Sequence, residues 1–170
     1  MCASLPQSPR KSAFAPVVAA DTRVLLLGSL PGESSLAQGR YYAHPQNRFW
    51  HLVGRVIGAD LPAMDYDDRL AALRAARIGL WDTVASATRS GSLDASMRDI
   101  VPRPLAELTA TLPELRAVGF NGRKAQDIGM KQLAGSGLAL IPLPSSSPAH
   151  AGMTLATKEK LWAEIGKYLV

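Results

Sequence analysis

Apolar and polar positions follow two different periods along the chain, and the changes of period mark the elements. Val24–Leu27 is a continuous apolar run ended by Gly28, the form of a short strand buried on both faces. Gly79–Asp82, Leu115–Phe120 and Leu138–Leu143 read as three more short strands. Helical periods lie between them. Asn47 opens one, with Phe49, Trp50, Val53, Val56 and Ile57 on a single stripe. Another begins near Asp65, where Asp67 and Asp68 in the first turn and Arg74 and Arg77 in the last suit the helix dipole. Pro104 starts a Leu105, Leu108, Leu112 pattern. Ala125, Ile128 and Leu133 follow an Asn121-Gly122 turn, and Leu161, Trp162, Ile165, Tyr168 and Leu169 share a face of the last helix. Strands alternating with helices predict an α/β three-layer sandwich: a central four-stranded, mainly parallel sheet flanked by helices. Residues 1–20, proline-containing and without period, read as an irregular lead-in, and 21–170 as one domain.

Composition narrows the class. Of the 170 residues, 47% are hydrophobic and 19% charged, which excludes a wholly disordered chain and a coiled coil. The lone Cys2 forms neither an internal disulfide nor a cysteine metal site. No apolar run approaches the ~20 residues that span a bilayer, and the start lacks the order of a signal peptide. The expectation is a cytoplasmic monomer with no membrane contact. The net charge of +5 is uneven: +4 over residues 1–56, −2 over 57–100 and +3 over 101–170. That pattern is compatible with a polyanion on one face without establishing it.

Ligands of a parallel sheet bind at the carboxyl ends of its strands. The loops leaving those ends are Gly28–Gln46, Thr83–Asp94, Asn121–Lys124 and Pro144–Gly152. Gly28-Ser29-Leu30-Pro31-Gly32 either brings backbone N–H groups close to an anion or is only a strand-to-loop turn. In Tyr41-Tyr42-Ala43-His44-Pro45-Gln46-Asn47-Arg48-Phe49-Trp50, aromatics, imidazole, amide and guanidinium crowd one helix start. Such groups stack on bases and hold phosphates, although Asn47 is also a natural helix cap. Pro144-Ser145-Ser146-Ser147-Pro148-Ala149-His150 offers hydroxyls to phosphate, or is a surface loop. Asp82 reads as a base, a base-reading acceptor or a turn residue; Lys124 as a phosphate contact or part of a solvated helix face. His44, His51 and His150 lack metal-ligand spacing, so no metal is expected. A serine hydrolase drawn from Ser29 or Ser146 with His150 and Asp82 lacks the G-x-S-x-G elbow.

Together these loops resemble the uracil-DNA glycosylase superfamily. Ala43-His44-Pro45-Gln46-Asn47-Arg48-Phe49-Trp50 is similar to the AHPxNRFW stretch of mismatch-specific uracil/thymine-DNA glycosylases. Gly28-Ser29-Leu30-Pro31-Gly32 matches G-x-x-P-G, and Pro144-Ser145 with Ala149-His150 resembles the second motif. Leu80-Trp81-Asp82-Thr83 and Arg89-Ser90-Gly91-Ser92-Leu93-Asp94 resemble the hypoxanthine-DNA glycosylase branch. Two positions depart: Leu30 stands where most relatives carry a water-orienting Asn, Asp or Glu, and Leu143 where the second motif opens with His or Asn.

The resemblance implies a monofunctional glycosylase that flips a deaminated base, hypoxanthine or uracil, out of DNA and hydrolyses its N-glycosidic bond, initiating base excision repair. No cofactor is implied. Asn47 would position the water and His44 would donate to the leaving base. Gly28, Ser29, Leu30, Pro31, Tyr42, Phe49 and Asp82 would form the base pocket. Gly32, Arg123, Lys124, Pro144, Ser145, Ser146, Ser147 and His150 would contact DNA. The departures also fit a non-catalytic DNA-binding relative of the same fold.

Overall fold

The computed structural model describes residues 10–150 and 152–170. Its centre is a parallel sheet. After a short strand β1 (Arg10–Ser12) comes β2 (Val24–Gly28), whose five residues are all buried. Two helices follow, α1 (Glu33–Gln38) and α2 (Phe49–Ile57), then α3 (Tyr66–Ala75) and β3 (Ile78–Asp82). A hairpin-like excursion, β4 (Val84–Thr88) and β5 (Arg98–Pro102), precedes α4 (Leu105–Ala110). The chain closes with β6 (Ala117–Asn121), α5 (Arg123–Leu133), β7 (Ala139–Leu143) and α6 (Leu155–Trp162). The four strands β3-β2-β6-β7 pair in parallel, as the alternating pattern predicts.

Alternation along β2 explains its unbroken apolar run. Val24 and Leu26 face one core with Phe49, Trp50, Leu52 and Val53 of α2 and Trp162 of α6. Leu25 and Leu27 face the other with Leu105 of α4 and Ala125 and Leu133 of α5. Helices cover both faces, so each strand position is desolvated. The carboxyl ends are in register: Gly28 lies opposite Asp82, and Asn121 opposite Leu143.

Three features differ from the sequence expectation. Within the segment read as a loop after β2, Glu33–Gln38 is helical, closed by Gly39 in the left-handed conformation. The polar stretch after Asp82 is a loop only from Arg89 on: Val84–Thr88 forms β4, the middle strand of an antiparallel sheet ordered β1-β4-β5. The lead-in is accordingly ordered in part, since Arg10–Ser12 pairs with Ser86–Thr88 and Val17 bridges to Leu80. Residues 1–9 lie outside the described residues. The small sheet covers a third apolar group of Leu30, Val84, Ala87 and Met97.

Candidate active site

The first two strand ends are brought together by backbone pairing. The Gly28 carbonyl accepts from the Thr83 N–H and hydroxyl, and the Ser29 carbonyl from the Val84 N–H. Gly28 must lack a side chain. A Cβ there would stand 2.9 Å from Tyr42 Oη and 3.1 Å from Asp82 Oδ1. Glycine, phenol and carboxyl thus converge on one point.

Tyr42 arrives with a φ of 53°, rare for a bulky residue. Its ring stacks on Phe49 with centroids 3.8 Å apart and planes 12° from parallel. Phe49, expected to line the base pocket, is fully buried, with edge contacts to Trp50 and Trp162. It backs the Tyr42 ring and presents no open face on that side, because the aromatic stripe of α2 points into the core.

Asp82 is also buried, and burial, against the nearby Arg103 guanidinium, pushes its carboxyl up to about 8. Asp94 adds to the rise. The Tyr42 phenol is likewise pushed well above its ordinary range, by burial first and then by Asp82. Tyr42 Oη and Asp82 Oδ2 are both buried without a hydrogen-bond partner. Two such atoms side by side are costly unless a ligand completes them.

The first-motif loop is held from behind. Ser29 is buried and its hydroxyl reaches both carboxylate oxygens of Asp94 at 2.7 Å. Arg89, also buried, donates to the carbonyls of Leu30, Pro31 and Gly91. The carbonyls of Ser29 and Leu30 are therefore engaged within the protein. Leu30 itself belongs to the small apolar group under β4. Gly32 is the cap residue of α1, whose first-turn Glu33 pairs with Lys11.

Asn47 stands one residue before Arg48, the N-cap of α2, and its Oδ1 accepts from the Phe49 N–H at 2.9 Å. The amide NH2 and a second lone pair on Oδ1 remain for other work. His44 is exposed in the same turn, and its Nδ1 accepts from the Gln46 N–H. That bond places the proton of the neutral ring on Nε2.

The fourth loop is fastened at every turn. Trp162 Nε1 donates to the Pro144 carbonyl, and the buried Lys158 ammonium to the carbonyls of Ser145 and His150. Ser146, expected at the DNA, is buried instead. Its N–H donates to Asn121 Oδ1, its hydroxyl accepts from Asn121 Nδ2, and its carbonyl accepts from the Arg48 N–H. It ties this loop to the end of β6 and to the start of α2. Gly122 (φ 93°) makes room for Ser145, whose Cβ would lie 3.3 Å from a Cβ there. Ser147, Pro148, Ala149 and His150 form the outward part, with Ser145 and Ser147 hydroxyls accepting backbone N–H bonds. Arg123 is exposed and pairs with Asp127, while Lys124 is half-buried and acts electrostatically on Asp94.

Asn121, Lys158, Arg89 and Asp94 were not among the expected site residues. Asn121 and Asp94 stand in the motif segments, at a strand end and closing the Arg89–Asp94 run. Nothing in the sequence near Lys158 marks it. Among the described residues no three His, Cys, Asp or Glu side chains cluster as a metal site, and no helix is long and apolar enough to cross a membrane.

Known proteins place this arrangement. The family profile "Uracil DNA glycosylase superfamily" matches residues 15–166. A protein of Methanosarcina barkeri named hypoxanthine DNA glycosylase is 38% identical over 158 residues, covering 93% of this chain and 99% of the relative. Its Methanosarcina acetivorans namesake is 37% identical over the same span. A solution NMR structure from M. acetivorans, assigned provisionally as a uracil DNA glycosylase, superposes with a TM-score of 0.86 at 37% identity. It covers 95% of this chain and 99% of that one. The chain belongs to the uracil DNA glycosylase superfamily.

Proposed function

We propose that the chain is a monofunctional DNA glycosylase that hydrolyses the N-glycosidic bond of a deaminated base, hypoxanthine first, and so opens base excision repair. The observation that carries the reading is the pair of buried, unpartnered atoms Tyr42 Oη and Asp82 Oδ2, on the two side chains that meet at Gly28. Hypoxanthine and uracil present a carbonyl next to a ring N–H. A phenol that donates and a carboxyl that accepts complement that edge. The names of the relatives support the same class.

The flipped nucleotide would enter between the Gly28 end of β2 and the Pro144–His150 loop. Ser145, Ser147, Gly32, Arg123 and Lys124 hold the flanking phosphates, and the outward Pro148–His150 tip fills the vacated stack. Phe49 fixes the Tyr42 ring, so that its hydroxyl meets the base edge. Asn47 orients water toward C1′, and His44 Nε2–H donates to the departing base. Negative charge accumulates on that base as the bond breaks, and the donors facing it stabilise the transition state.

A single-turnover assay with enzyme in excess tests the reading, using DNA that carries deoxyinosine, deoxyuridine or no lesion. Hypoxanthine release from wild type and its loss in Asn47→Ala is the expected result. The second reading, a DNA-binding relative without activity, is favoured by buried Leu30 and Leu143 where relatives carry polar groups. Tight binding to lesion DNA with no base released would select it.

A further inference from the structure

Hydrolysis of the N-glycosidic bond needs a group that takes a proton from the attacking water, and neither Leu30 nor Asn47 is one. Leu30 is apolar and packed among Val84, Ala87 and Met97. Asn47 is an amide whose oxygen already accepts from the Phe49 N–H, and an amide is a poor base. The residue next to Leu30 supplies a different lead. The Ser29 hydroxyl is shared between the two oxygens of Asp94, both at 2.7 Å.

Asp94 opens a 3-10 turn, Asp94–Ser96, between β4 and β5. Arg89 joins that segment to the first-motif loop through the carbonyls of Leu30, Pro31 and Gly91. A carboxylate from a distant part of the chain is thus held at the end of β2, one residue from the position where a polar side chain is missing. Its side chain keeps 41% exposure, so water reaches it, whereas Asp82 is enclosed.

The groups facing Asp94 come from several elements. Ser29 stands at the end of β2, Arg89 at 3.7 Å in the same loop, and Lys124 on α5; Asp94 in turn acts electrostatically on Asp82 of β3 and on Tyr42. Burial pushes the Asp94 carboxyl above the usual range, while Ser29, Arg89 and Lys124 favour its charged form. The independent sign of a ligand is the pair of buried orphan atoms on Asp82 and Tyr42.

We propose that Asp94 accepts the proton of the attacking water, with Asn47 orienting that water and Ser29 holding the carboxylate; the inference rests on the glycosylase reading. The water oxygen bonds to C1′ as the C1′–N bond breaks and its electron pair departs on the base. One water proton passes to the Asp94 carboxylate, which returns it to solvent, and the base anion takes a proton from solvent. Before transfer the ionised carboxylate also stabilises positive charge growing on the sugar.

The test is single-turnover hypoxanthine release across a pH series for wild type, Asp94→Asn and Ser29→Ala, with melting temperature and DNA affinity for each. Asp94→Asn retains an acceptor for Ser29 but no base, so release falls at least ~100-fold. The acid limb of its profile disappears, and DNA binding is retained or tightened. Ser29→Ala removes a hydrogen bond to the charged form, so its acid limb moves to higher pH with a smaller loss of rate. A purely structural Asp94, serving as counter-ion to Arg89, would lower the melting temperature of Asp94→Asn and leave the acid limb in place. That outcome, or an unmoved limb in Ser29→Ala, overturns the inference alone. A wild type that releases no base overturns the glycosylase reading and this inference together.

Discussion

The Tyr42 ring lies on the Phe49 ring at 3.8 Å, the spacing of stacked aromatics, while its hydroxyl ends beside Asp82 with nothing to bond. A ring placed only for packing would be better as phenylalanine, because the hydroxyl adds a desolvation cost and no contact. The backbone at Tyr42 is also in the left-handed region, which adds strain. Two local costs at one residue point to a role outside the folding of the free protein.

Tyr42→Phe separates the two roles. Removing the orphan hydroxyl should raise stability by about 1 kcal/mol, within the 1–3 kcal/mol cost of an unmet buried polar group. Base release should fall, since the donor to the base carbonyl is gone. Thermal denaturation and single-turnover release on the same preparation check both. A variant less stable than wild type would show that the hydroxyl is bonded in the folded protein.

Asn47 has both a structural and a chemical assignment, and two substitutions divide them. Asn47→Ala removes the bond to the Phe49 N–H and should cost about 1 kcal/mol as well as most activity. Asn47→Ser restores an accepting oxygen, so it should recover the stability without the activity. Lesion-DNA affinity should survive in both. Activity recovered together with stability in the serine variant would reduce Asn47 to its structural bond.

Asp82 makes stability fall with rising pH. Its folded carboxyl titrates at about 8 against 3.8 for the free group. Between those values the folded protein holds a proton that the unfolded chain has lost. Stability contributed by the neutral carboxyl is therefore full below about pH 4 and declines toward pH 8, by up to about 1.4 kcal/mol per pH unit. Asp82→Asn, neutral throughout, should flatten that slope and be the more stable protein at pH 7–8. Denaturant melts at several pH values measure it; parallel slopes for the two proteins would mean Asp82 stays ionised in the fold.

The central sheet was legible because each of its strands is a short apolar run, enforced by helices on both faces. The small sheet was not. In Val84-Ala85-Ser86-Ala87-Thr88 only Val84 and Ala87 are buried, the residues are small, and the partner Arg10–Ser12 lies more than 70 residues away. Helix α1 was hidden by its serines and the glycines at both ends. At the site, motif spacing located the four loops and placed Gly28, Tyr42 and Asp82 together. It could not tell Ser146 from Ser145 and Ser147, since what buries Ser146 is Asn121, 25 residues earlier. That depends on side-chain direction in three dimensions, which local pattern does not encode, whereas the inward packing of Phe49 could be read from its place on the apolar stripe of α2.

Electrostatic attachment to DNA and the shape of the Pro144–His150 loop are separable at Lys124 and Lys158, with Lys167 as the control. Lys124 is half-buried at the start of α5 near the strand ends, whereas Lys167 pairs with Glu164 in the C-terminal turn. If Lys124 neutralises one phosphate, Lys124→Ala should reduce the slope of log affinity against log salt by about 0.9, and Lys167→Ala should leave it unchanged. Lys158 acts differently, because its ammonium is spent on the Ser145 and His150 carbonyls. Lys158→Met fills similar space without those bonds, so the loop loses two charge-assisted ties worth roughly 1.5–3 kcal/mol each at most. DNA affinity should then fall at every salt concentration with the slope preserved. A changed slope for Lys158→Met would mean that its charge reaches a phosphate, and the loop would have to be redrawn around it.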